Sequence, residues 1–275
     1  MANFTAADVK ALRDRFGAGM LDSKNALVEA DGDVEKAIEI LRLKGQKGVA
    51  KREGRSTSAG LIAATIVGDR ATVVELASET DFVAKNEKFV TLGDGVLAAV
   101  AAAGASTVAE GILAELDGQT VAEAINELAA ILGEKIELRR VLALTGEQLA
   151  VYLHRTSKDL PPQIGVVVAY TGGDDATARA IAQHISFANP DYVTRDAVPA
   201  QLVDRERSIV EEISRNEGKP SGALPKIIEG RLNGFYKNIV LIEQDYSLDT
   251  KLSVEKLLDE AGLTVTGFVR AKVGA

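Results

Sequence analysis

Between Ala71 and Val100 the spacing of apolar residues changes from a period of two to one near 3.6, and this switch limits the fold more than any other feature. From Ala71 to Ser78, Val74, Leu76 and Ser78 alternate with Val73, Glu75 and Ala77, the pattern of a half-buried strand. From Phe89 onward, Phe89, Leu92, Val96, Leu97 and Val100 recur at helical spacing. A strand running straight into a helix points to an α+β arrangement. The junction, Glu79-Thr80-Asp81-Phe82-Val83-Ala84-Lys85-Asn86-Glu87-Lys88-Phe89, reads as an exposed turn in which the Asp81 carboxylate adjoins the Phe82 ring and Lys85 follows. Thr80 or Asp81 can cap the helix by accepting from an unpaired backbone N–H. Phe82 can tuck back as a local staple or project toward a partner.

The rest of the chain divides around this junction. Residues 1 to 44 read as three short helices: Thr5 starts one with Val9, Leu12 and Phe16, Asp22 one with Ala26 and Leu27, and Asp33 one with Ala37, Ile38, Leu41 and Leu43. Gly17-Ala18-Gly19 and Asp31-Gly32-Asp33 are the expected turns. Residues 45 to 58 mix glycine, basic residues and hydroxyls with little periodicity and read as a solvated linker. A hairpin with a turn at Gly68-Asp69-Arg70 then leads into the junction. Thr107 with Glu110 and Thr120 with Glu123 have capping-box spacing. Between Lys135 and Leu144, Ile136, Leu138 and Arg140 alternate with Glu137, Arg139 and Val141, which suits an edge or partly covered strand.

A second α+β unit begins near Leu149, with Val151 and Leu153 on one strand face and Tyr152 and His154 on the other. The apolar run Ile164 to Ala169 suits a central strand, and Ala178 to Phe187 a helix closed by Asn189-Pro190. Residues 199 to 238 read as an antiparallel helical hairpin, coiled-coil-like in its opposed apolar stripes, and a short helix from Val254 to Gly262 precedes a last strand. The expected fold class is therefore multidomain α+β. Residues 1–54 form an N-terminal module with its linker, 55–146 one α+β subdomain with an antiparallel sheet, and 147–275 a second with the hairpin 199–238 inserted.

Charge and composition narrow the functions. With 32 Lys and Arg against 40 Asp and Glu, the 275-residue chain has net charge −8, which argues against a general nucleic-acid binder. There is no cysteine and there are two histidines, so thiolate sites are excluded and a histidine cluster is improbable. No opening signal-like segment and no apolar run near the roughly 20 residues of a membrane span occurs, so the expected setting is the cytoplasm, with no membrane contact. No Gly-x-x-x-x-Gly-Lys-Ser/Thr run, Gly-x-Ser-x-Gly elbow or His-Glu-x-x-His pair is present. No chemistry of its own, no cofactor and no metal are expected.

The segment Thr80-Asp81-Phe82-Val83-Ala84-Lys85-Asn86 resembles the signature of the bacterial elongation factor Ts family, guanine-nucleotide exchange factors for elongation factor Tu. The resemblance extends through Leu12-Arg13-Asp14-Arg15-Phe16-Gly17-Ala18-Gly19-Met20-Leu21-Asp22, similar to the family's opening ubiquitin-associated-like domain. It also covers Tyr152-Leu153-His154, His184 to Pro190, Glu217 to Pro220, Glu229 to Leu232 and Val265 to Arg270. It implies that the N-terminal module docks on elongation factor Tu, with Arg13, Met20 and Leu21 at positions of contact, although Leu21 beside a turn can equally be core. It implies further that Phe82, with Asp81 beside it, enters near the partner's magnesium site, that His154 is a secondary contact, and that the hairpin can serve dimerisation or touch the partner. Some members continue into a C-terminal helix that also meets the partner; the chain stops at Ala275, and that contribution is expected to be absent or replaced.

Two other readings compete: a small enzyme using Asp81, His154 and His184, and an adaptor built on the N-terminal helices. For His184, on an apolar helix, simple packing is the favoured expectation. The adaptor gives Asp81 and Phe82 nothing to do.

Overall fold

The structure, a computed structural model, describes residues 4–16 and 19–275, and of residues 14–16, 42 and 44–51 the backbone alone. Three helices come first, α1 (Ala6–Phe16), α2 (Met20–Glu29) and α3 (Val34–Arg52). At the head of α1 the Asp8 N–H donates to Thr5 Oγ1 at 3.3 Å and the Thr5 N–H to Asp8 Oδ2 at 2.7 Å, while Asp33 accepts from the Lys36 N–H at 3.1 Å to cap α3. Val9, Leu12, Ala26, Leu27, Ala37, Ile38 and Leu41 close a small core, and Asp31 and Gly32 turn the chain at positive φ. Gly17 and Ala18 of the expected first turn, and the Phe16 side chain, lie outside the described residues.

Several expectations need correction here. Asp22 is not a cap, because α2 already starts at Met20 behind Gly19; it sits in the first turn, where a negative charge favours the helix N-terminus. Leu43 is exposed rather than packed. Residues 45–52 are helix, not linker. Their lysines, glutamine and alanine are good helix formers, Gly45 and Gly48 cost about 1 kcal/mol each relative to alanine, and contact between α3 and a later helix offsets that cost.

The hairpin of β1 (Ala59–Val67) and β2 (Arg70–Ser78) turns at Gly68, φ 62°. There follow α4 (Asp81–Ala84), α5 (Glu87–Ala102), the single turn α6 (Val108–Gly111), the two-residue strands β3 (Glu115–Leu116) and β4 (Gln119–Thr120), α7 (Val121–Leu132) and β5 (Ile136–Thr145). Both capping boxes form, at Thr107 and at Thr120. The sheet is antiparallel in the order β1-β2-β5, which puts β5 on an edge as its mixed faces suggest. The second unit comprises β6 (Gln148–His154), β7 (Ile164–Gly172), α8 (Asp175–Ala188), α9 (Ala200–Asn216), α10 (Leu224–Ile239), α11 (Val254–Ala261) and β8 (Leu263–Lys272). Its sheet is antiparallel in the order β6-β7-β8, with the apolar β7 at the centre.

The two sheets lie face to face. Ile62, Ala71 and Val73 from the first meet Val167 and Ala271 from the second, while α5 and α7 cover the outer face of one sheet and α8 and α11 that of the other. Hence β2 is buried on both faces, not half-buried, because the second sheet covers the side expected to be open. Glu75 lies on this inner side, fully buried. A bulge opposite Glu75 and Leu76 brings Arg139 Nη1 and Arg140 Nε to 3.6 and 3.5 Å from its carboxylate, and the Gly274 N–H donates to it at 3.0 Å. The same bulge turns Val141 into the core beside Leu138, which strict alternation had placed on opposite faces. Helices α9 and α10 pack on one another through Val210, Ile228 and Leu232. The tail of α3 reaches α7, where the Arg52 guanidinium donates to the Ala129 carbonyl at 3.4 Å.

Candidate functional site

The junction between β2 and α5 is a single helical turn, α4, with Thr80 as its N-cap: Thr80 Oγ1 accepts from the Val83 N–H at 3.5 Å. Successive residues of a helix are rotated by about 100°, so one turn cannot bury all its side chains. Val83 and Ala84 go inward to the core that also holds the fully buried Phe89, leaving Asp81, Phe82 and Lys85 to solvent. The Phe82 ring is 73% exposed, with the Lys85 ammonium 4.5 Å from its centroid. The staple alternative is thereby corrected. Asn86 ends the turn and caps α5, accepting from the Lys88 N–H at 2.9 Å.

The turn stands on a polar frame. Ser78 Oγ donates to the Thr80 carbonyl at 3.0 Å. Glu134, just past the left-handed Gly133 that ends α7, accepts from the Thr80 N–H at 3.0 Å and from its hydroxyl at 2.6 Å. Glu79 accepts from the Lys135 N–H at 2.7 Å and from Arg55 Nη1 at 3.2 Å. Lys135 Nζ in turn lies 2.8 Å from Glu137, which also accepts from the Thr57 hydroxyl and from Arg139. Partial burial alone pushes the Glu137 carboxyl up, but Lys135, Thr57 and Arg139 bind its charged form and together pull it down to about 2. Sequence reasoning assigned no role to Glu134, since no local spacing connects a residue after a helix C-cap to a cap 54 positions earlier. The Gly-Glu pair at the end of α7 was its only trace.

The other expected contacts occupy separate elements. Arg13 is exposed on α1, and Met20 and Leu21 in the first turn of α2 are 49% and 68% exposed, so Leu21 is not core. His154, at the end of β6, is half-buried; its Nδ1 lies 3.2 Å from the Tyr152 hydroxyl, and the exposed Phe187 ring packs edge-on at 4.9 Å. His184 is packed as expected: fully buried, with Nε2 2.9 Å from Gln244 Oε1 and Nδ1 accepting from the Ser247 N–H at 3.1 Å. Asp81, His154 and His184 thus each find different surroundings and do not assemble into one site.

Among the described residues no group of three or more His, Asp and Glu is placed to hold a metal ion, and no helix is long and apolar enough to cross a membrane. A hydrogen-bonded turn that exposes an aromatic ring beside a carboxylate, carried on paired antiparallel sheets of an α+β fold, is the candidate site. Residues 79–275 match the family model described as Elongation factor TS. Over both full lengths the chain is 69% identical to Elongation factor Ts of Clavibacter michiganensis subsp. michiganensis and 63% identical to that of Leifsonia xyli subsp. xyli. The chain belongs to the elongation factor Ts family, and its work lies in translation elongation, within protein biosynthesis.

Proposed function

We propose that the protein binds GDP-loaded elongation factor Tu in the cytoplasm and promotes GDP release by disturbing the partner's magnesium and phosphate site, after which GTP rebinds. The observation that carries this reading is the exposure of Phe82 on a turn whose other apolar residues are buried. An exchange factor needs no chemistry of its own. It must bind the nucleotide-free partner more tightly than the loaded one, and linkage then makes factor binding and nucleotide binding mutually weakening. A coupling of roughly 4 kcal/mol shifts affinity about a thousandfold.

Burying the Phe82 ring in the rearranged partner would contribute about 1.5–3 kcal/mol of that coupling. Asp81 supplies the rest by drawing polar groups away from the phosphates and magnesium that hold nucleotide in such GTPases. Thr80, Val83, Ala84, Lys85 and Asn86 present the pair. Arg13, Met20, Leu21 and His154 give affinity that does not distinguish the partner's states. With net charge −8 the protein makes no direct nucleic-acid contact. The half-exposed Ile209 and Ile213 on α9 are open to self-association of the hairpin, outside the exchange step.

The test is release of labelled GDP from purified elongation factor Tu. Catalytic amounts of this protein should accelerate it, and an unchanged rate would contradict the proposal.

A further inference from the structure

Helix α4 has four residues, too few to hold itself: the first turn of a helix is unfavourable by about a factor of a thousand before tertiary contacts are counted. Something outside it must fix the direction in which Phe82 points. The hydrogen bonds assign that task to two carboxylates in a reciprocal arrangement. Glu134 takes both the N–H and the hydroxyl proton of Thr80, at 3.0 and 2.6 Å, while Glu79, the neighbour of Thr80, takes the N–H of Lys135, the neighbour of Glu134, at 2.7 Å. Each segment therefore holds the other through a charged acceptor, the stronger class of hydrogen bond.

The hydroxyl bond has a second effect. A threonine hydroxyl has one proton and two lone pairs. With the proton committed to Glu134, the oxygen is turned to accept from the Val83 N–H, which starts α4. The anchor and the cap are thus made by the same atom. Gly133, left-handed at φ 77°, ends α7 where Glu134 can reach across.

We infer that Glu134 is a positioning residue for nucleotide exchange: with Glu79 it clasps the turn so that Phe82 is presented in one orientation before the partner arrives. This rests on the exchange reading above. A pre-ordered ring enters the partner without the loss of freedom that ordering a loose turn would entail, and that saving appears in the productive state. Glu134 itself touches neither nucleotide nor metal on this account.

The experiment compares the full-length protein with Glu134→Ala, Glu134→Gln and Phe82→Ala by two readouts. The first needs no partner. Amide hydrogen exchange in the free protein should show protection of Ala84, Lys85 and Asn86 falling about tenfold or more in Glu134→Ala, that of α5 being retained, and Glu134→Gln, which keeps the shape and one acceptor oxygen, falling between. The second is stimulated GDP release titrated with factor. Glu134→Ala should lower the maximal rate about tenfold with the half-saturating concentration nearly unchanged, again with partial recovery in Glu134→Gln.

A variant that merely lost folded protein would do the reverse, shifting half-saturation and keeping the maximum. Should Glu134→Ala not fold, the intermediate losses in Glu134→Gln carry the test. Unchanged protection of the turn overturns the clasp, and lost protection with an undiminished maximal rate overturns its role in positioning. Phe82→Ala separates the two ideas: full exchange activity in that variant defeats the wedge, while the protection data still decide the clasp.

Discussion

Both ring nitrogens of His184 are committed to one tautomer. The Ser247 N–H can only donate, so Nδ1 must accept, and Nε2 carries the proton toward Gln244, whose own amide is fixed by donating to the Asn238 carbonyl at 2.9 Å. Protonating Nδ1 would set two donors against each other. Burial holds the imidazole below its ordinary value, with the Gln244 bond opposing it. A depressed histidine means that the unfolded chain binds more protons than the folded one below about pH 6.5, so stability is complete above that pH and declines as pH falls toward the folded value. Denaturant midpoints measured from about pH 7.5 to 5.5 should therefore fall in the parent and fall less in His184→Gln, though that variant starts lower. Equal slopes would contradict the assignment. The carboxylate of Glu137 acts in a separate window, losing its contribution only as pH drops from about 4.5 toward about 2. That His184 would be packed was legible from its apolar helix. Its partners Gln244 and Ser247 were not, since they come from a segment some sixty residues away.

At the scale of elements, most starts and stops could be read because capping is local: Asp33, Thr107, Thr120 and Asn189 stand where spacing put them. The failures were cases in which tertiary contact overrides composition. Residues 45–52 have linker-like glycines and lysines yet are helical, and the contact with α7 that sustains them has no signature in that segment. This alters what removal of the N-terminal module should do. We divide the chain after residue 54, and deleting residues 1–54 should leave a single cooperative unfolding transition, because the sheets keep their own cores. The midpoint should fall by roughly 2–8 °C as α7 loses its cover and Ala129 its hydrogen bond. Stimulated GDP release should fall with it. A truncated chain that melts without a transition, or one fully active in exchange, would refute the division. The hairpin of α9 and α10 is expected to matter differently, since its packing residues are Val210, Ile228 and Leu232 and none of them belongs to the exposed turn. Shortening both helices symmetrically should leave GDP release at saturating factor within about twofold, within the range expected of distant, independent sites. Complete loss in a folded variant would show the hairpin acting on the partner's conformation.

For the molecule as a whole, the α+β class, the edge place of β5 and the central place of β7 follow from sequence pattern, whereas the full strand orders and the meeting of the two sheets do not. Alternation marks which residues of β2 share a face; it cannot say that a second sheet covers the Val73 and Glu75 side, nor that a bulge at Arg139 brings two guanidinium groups to one buried carboxylate. The turn itself was legible from the contiguous change of period, and Phe82 within it from the resemblance of Thr80 to Asn86 to the family signature, since spacing alone left it open between staple and contact; its anchor Glu134 has no such contiguous signal. On the proposed reading the molecule keeps stability and function in different places. Its cores are closed without Phe82, which stands in solvent against Lys85. The most direct test measures thermal unfolding of the free Phe82→Ala variant alongside its stimulated release of GDP from elongation factor Tu. The account predicts an unfolding free energy within about 0.5 kcal/mol of the parent, as for other exposed positions, and a loss of exchange of tenfold or more, from about 1.5–3 kcal/mol of forgone burial. A variant that unfolds well below the parent yet releases GDP at a near-normal rate would contradict it.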